Sequence, residues 1–133
     1  MSFLNWITGT AGYTAILAAF GLAVAAHFFA PRVTPADIEA AILCEHYFTA
    51  EEGAQGALAK ERPDLGMENP TLALLTFCVL TLRNGFTVTG ESACASPENF
   101  NSEIGRRIAR EKAVSNVWPL LGYALKEKLV CAS

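Results

Sequence analysis

A chain of 133 residues can build one compact domain and is too short for two full-sized domains or a barrel-sized enzyme. Hydrophobic residues make up 52% and charged ones 17%, which excludes disorder. The net charge of −3 has the wrong sign for a protein held on nucleic acid by bulk charge.

Residues 2–30 contain no Asp, Glu, Lys or Arg, and residues 11–30 are almost wholly apolar. Twenty residues of helix reach about 30 Å, the thickness of a bilayer hydrocarbon core. Trp6 and Tyr13 on one side, with Phe28, Phe29 and Arg32 on the other, have the character of interfacial anchors. Residues 1–32 are therefore expected to form a hydrophobic N-terminal helix that anchors the chain in a membrane through residues 11–30, with Arg32 holding the domain 33–133 on the cytoplasmic side. Two other readings compete. Ala23-Val24-Ala25 offers a signal-peptide cleavage pattern without the basic n-region, and Gly12, Ala15, Ala19 and Gly21 suit a helix packed against other subunits of an assembly.

After Pro31, Thr34 as N-cap, Pro35 at the first helical position and Asp37 three residues past the cap predict a helix running to about Phe48, with Ile38, Ile42 and Tyr47-Phe48 as its apolar stripe. Thr49 with Glu52 reads as a capping box for a short helix weakened by Gly53 and Gly56. An acidic connector, 61–69, leads to Asn69-Pro70. The unbroken apolar run from Leu72 to Leu82 then reads as a core helix closed by Arg83, Asn84 and Gly85. Phe86 to Thr89 alternates, and Gly90-Glu91 can turn the chain into Ser92-Ala93-Cys94, so a small hairpin is expected over about 86–95. Ser96-Pro97 starts an amphipathic helix whose apolar stripe is Phe100, Ile104, Ile108, Ala113 and Val117. Pro119 either kinks it or opens a last helix. The expected architecture is mainly α: a small helical domain with one short β-hairpin, preceded by the N-terminal hydrophobic helix.

Phosphate loops, nucleophile elbows and zinc-protease motifs are absent, and His27 and His46 are the two imidazoles. The four cysteines form no C-x-x-C pair, so they are read as reduced thiols with no metal or cofactor. Cys44 and His46 are set aside both as metal ligands and as a nucleophile pair, because a lone C-x-H lacks a second pair and residues two apart on a helix point about 200° from one another. No catalytic residues emerge, and the chain is expected not to be an enzyme.

The polar loop from Asn84 to Asn101 is the candidate site. Backbone amides at the helix start, with Asn84, Ser92, Ser96 and Asn99 and the guanidinium groups of Arg106 and Arg110, could together hold a small anionic ligand such as a phosphate. The plainer reading is that the same residues cap helices, make turns and pair with glutamates. Nucleic-acid binding through Arg106, Arg107, Arg110 and Lys112 is disfavoured by the acidic total. Residues 1–70 carry three basic and eight acidic side chains and 71–133 carry seven and five, a polarity that favours a homo-oligomer.

Glu45-His46-Tyr47-Phe48-Thr49-Ala50, Leu75-Thr76-Phe77-Cys78, the run from Arg83 through Cys94, and Trp118-Pro119-Leu120 together resemble a family of tailed-bacteriophage proteins named after gene forty-nine of phage N-four and gene sixty-six of phage Sf-six. The resemblance covers about 33–130. It implies a non-enzymatic phage or prophage accessory protein that binds a host protein or a small signalling ligand, here tethered to the bacterial inner membrane. The alternative it leaves is a structural virion or assembly component whose N-terminal helix packs against other subunits.

Overall fold

The computed structural model describes residues 30–64 and 68–133. The chain divides into two units, residues 1–32 and 33–133, and the elements below belong to the second. The expected membrane helix within 1–32 lies outside the described residues. Among those described, no helix is long and apolar enough to cross a membrane.

Thr34 starts helix α1 (Pro35–Ala41) through a capping box: its backbone N–H donates to Asp37 Oδ2 at 2.8 Å, and its hydroxyl oxygen accepts from the Asp37 amide at 3.3 Å. The helix stops seven residues on, where strand β1 (Ile42–Thr49) begins. Thr49 repeats the capping box with Glu52 and opens α2 (Ala50–Glu61). Strand β2 (Leu75–Leu82) follows a 3-10 turn over Leu72–Leu74, and β3 (Thr87–Ala93) follows a tight turn. A second 3-10 turn, Pro97–Asn99, leads into the long helix α3 (Ser102–Cys131). Asn101 caps α3 by accepting from the amides of Glu103 and Ile104 at 3.0 and 3.1 Å.

The strands form one antiparallel sheet in the order β1-β2-β3, and α3 lies across one of its faces. A mainly α architecture is thus overturned: the domain is a three-stranded sheet with helices, three stretches of the sheet differ from expectation, and α3 starts at Ser102 instead of at Ser96-Pro97. The first is 42–48, read as the continuation of α1, which is strand; its β-branched and aromatic residues pair with β2 from Ile42↔Leu82 to Thr49↔Thr76. The second is the core helix of 72–82, which is a 3-10 turn over Leu72–Leu74 followed by the central strand β2. A central strand in contact on both faces shows the same unbroken apolar run as a buried helix, and periodicity cannot separate them.

The third is the hairpin. β3 runs straight through Gly90-Glu91, and the hairpin joins β2 to β3 through a turn at 83–86, where Gly85 adopts φ +85. Leu82 N–H donates to the Phe86 carbonyl at 2.8 Å, and the Asn84 side-chain oxygen accepts from the Phe86 amide at 3.0 Å. Gly90 serves close approach instead of a turn. A Cβ there would run into the backbone carbonyl of Ala109 and the amide of Ala113 on α3.

That approach decides which side of α3 is buried. Gly105, Ala109, Ala113 and Val117, four residues apart, lie on the sheet, whereas Ile104 is 48% exposed and Ile108 half-buried. The stripe beginning at Phe100, Ile104 and Ile108 is therefore displaced by one position at its start, since small side chains are what bring a helix backbone down onto a strand. Pro119 neither ends α3 nor opens another helix, because the chain stays helical through it. At 1.5 Å per residue the helix is about 45 Å long against about 27 Å for an eight-residue strand. Its last turns outrun the sheet and expose Tyr123, Leu129 and Val130. The core comprises Ile38, Cys78, Leu80, Leu82, Val88, Ala109, Ala113 and Val117, with Val33, Ile42 and Leu121 packed against it.

Candidate functional site

The fold disperses the six residues of the expected anion site. Asn84 sits in the β2–β3 turn at one end of β3 and is engaged with the Phe86 amide, while Ser92 is at the other end. Ser96 and Asn99 bond to each other, Nδ2 to Oγ at 3.0 Å, and Asn99 joins Ser92 around a hollow of about 110 Å³ whose other walls include Phe100, Gly105 and Ile108. The two arginines face the opposite edge of the sheet. Arg106 stands over the Tyr47 ring, 6.0 Å from its centre.

Arg110 is held by carboxylates. Its Nη2 lies 2.8 Å from Glu39 on α1 and 2.8 Å from Glu45 on β1, and its Nε donates to Glu45 at 2.9 Å. The Tyr47 hydroxyl donates to the other oxygen of Glu45 at 2.6 Å. Glu45 and Tyr47 pair with Leu80 and Cys78, so both lie on the sheet face that α3 covers. Hydrogen bonding from Arg110 holds the Glu45 carboxyl below the usual carboxylate range, and Arg110 is in turn held protonated by Glu45 and Glu39. Burial, then the bond to Glu45, pushes the Tyr47 phenol up, and burial does the same to the Cys78 thiol. This network joins α1, β1 and α3 and has the form of a structural clamp. Reading 42–48 as helix hid it, since only a strand places residues 45 and 47 on one face.

The same period puts Cys44 and His46 together on the opposite face. There His46 pairs with Val79, and the Phe48 ring stacks on Phe77 with centroids 5.6 Å apart. A bulge between Ile42 and Cys44 sets two β1 residues against one of β2. It leaves Leu43 58% exposed. Cys44 Sγ and His46 Nε2 are 3.7 Å apart, so the helical geometry that separated them does not apply.

An open groove of about 430 Å³ runs along β3, lined by Thr89, Gly90, Glu91, Lys112, Asn116 and Phe77. β3 is an edge strand. Phe86 and Cys94 bond across to Leu82 and Leu74. Strand alternation then turns the peptide groups of Thr87, Thr89 and Glu91 to the free side. Asn116 Nδ2 donates to the Thr89 carbonyl there, at 3.0 Å, and covers part of that edge. Sequence reasoning missed this groove because it treated Gly90 as a turn residue.

Residues 33–129 match the model of the phage protein (N4 Gp49/phage Sf6 gene 66) family. No curated protein and no solved structure matches the chain.

Proposed function

The chain belongs to that phage protein family, and on this premise we propose that it is a non-enzymatic accessory protein that binds a host protein by taking an extended segment along the free edge of β3. The carrying observation is the groove itself: a strand edge that no further strand pairs, beside a glycine, lined by Glu91 and Lys112 of opposite sign and by the Phe77 ring. Strand addition draws affinity from main-chain hydrogen bonds and selectivity from alternate side-chain positions, and this edge offers both. An open, polar-rimmed groove suits a peptide better than a small ligand, which needs enclosure. Attachment to the inner membrane is supported separately by the hydropathy of residues 11–30.

Thr89→Pro tests the binding mode. Its N–H points to the free side, so proline removes a donor that the β2 ladder does not use. A host polypeptide captured by the wild-type chain and lost with Thr89→Pro and with Lys112→Glu, both still folded, supports the reading. Capture unaffected by both, or recovery of the chain only as a stoichiometric virion component, overturns it. Recovery in a soluble fraction without detergent would separately remove the membrane attachment.

A further inference from the structure

The Cys44–His46 pair is not used by the β3 groove or by the Arg110 clamp. Both residues stand on the outer face of β1, with His46 exposed and the Cys44 thiol free of any disulfide. Their Sγ–Nε2 separation is 3.7 Å. A tetrahedral zinc ion with Zn–S of about 2.3 Å and Zn–N of about 2.0 to 2.1 Å spaces a thiolate and an imidazole by about 3.5 to 3.6 Å. The pair already spans nearly one edge of such a tetrahedron. The strand sets that spacing through its period of two.

Two donors leave two positions open. Among the described residues no group of three His, Cys, Asp or Glu stands close enough to hold a metal ion, so an ion held by this pair would need its other ligands from outside the domain. β1 is an edge strand, and Leu43 and Phe48 flank the pair with 58% and 37% of their surface exposed. A two-fold axis through the ion would bring the same pair from a second copy and cover those apolar neighbours in an isologous contact. Two thiolates also balance the charge of a divalent ion, and Glu45, the nearest carboxylate in sequence, is engaged with Arg110 on the other face.

We propose that Cys44 and His46 form half of a tetrahedral zinc site that is completed by the same two residues of a second copy of the chain. Each thiol gives up its proton to water as its sulfur–zinc bond forms, and each imidazole binds through Nε2. No electron transfer is involved.

The test uses the full chain in mild detergent, freed of metal and titrated with zinc sulfate, then with cobalt(II). Expected are one zinc per two chains, a zinc-dependent dimer reversed by EDTA, and a thiolate-to-cobalt charge-transfer band. All three should be lost in Cys44→Ser and His46→Gln and kept in Cys131→Ser. Should the chain associate through other surfaces as well, metal stoichiometry and the cobalt spectrum decide. One zinc per chain, no binding, or binding that survives Cys44→Ser overturns the proposal. The variants leave the β3 groove intact, so failure here leaves the host-binding reading standing.

Discussion

Gly90 of β3 and Ala113 of α3 meet backbone to backbone: a Cβ on Gly90 would lie 2.9 Å from Ala113 Cα. The long helix can therefore rest on the face of β3 only while position 90 has no side chain.

Gly90→Ala is accordingly expected to destabilise the domain by about 1–3 kcal/mol through overpacking, read as a lower urea midpoint. Gly56, in α2, has nothing within 4 Å of a built Cβ. Gly56→Ala should raise stability by about 0.5–1 kcal/mol through helix propensity. Equal effects of the two substitutions would contradict the packing described.

Ile104 is the large apolar residue that the sequence pattern places in the core and the fold leaves on the surface. Ile104→Gln should change stability by no more than about 0.5 kcal/mol, whereas Ala109→Leu, on the buried line, should cost about 1–3 kcal/mol. Thermal melts of the two variants distinguish the helix rotation described from one with Ile104 inward.

The clamp gives a pH dependence with a definite sign. The Glu45 carboxyl has a folded pKa below its unfolded value, so its stabilisation is present above the unfolded carboxylate range and is lost as pH falls through the folded value. Tyr47 has a raised folded pKa, so its share is present below the unfolded phenol value, about 10, and declines as pH rises beyond that. Arg110→Ala should cost about 1–3 kcal/mol at neutral pH by leaving Glu45 with the Tyr47 hydroxyl but no cationic partner, and should flatten the acid limb of a stability–pH curve. Tyr47→Phe should flatten the alkaline limb. An unchanged acid limb in Arg110→Ala would show that the clamp is not what titrates.

Thr76 faces Gly105 under α3, and its hydroxyl is buried with no hydrogen-bond partner among the described residues. Thr76→Val keeps the shape and the β-branch and removes the orphaned group. It is expected to stabilise the domain by about 1 kcal/mol, measurable by denaturant titration.

Much of the punctuation of this chain is local and was readable from sequence. The Thr34–Asp37 and Thr49–Glu52 boxes are satisfied by atoms three residues apart, whereas Gly85, expected to close a helix, closes the β2–β3 hairpin. The Cys44–His46 pair is visible as residue types, but its separation depends on whether 42–48 coils or extends. The Arg110 clamp spans 65 and 71 residues of sequence to its two glutamates, and no local pattern announces it.

By itself, then, the amino-acid order determined where α1 and α2 start and the phage family to which residues 33–129 belong, whereas α3 starts at Ser102 behind its Asn101 cap and not at Ser96-Pro97. Only the tertiary structure decided that Ile42–Thr49 and Leu75–Leu82 are strands, that small residues of α3 face inward, and which side chains share a face. The reason is physical: caps and turns are satisfied within a few residues, whereas an apolar run buries itself equally well as helix or strand until a partner strand supplies its hydrogen bonds.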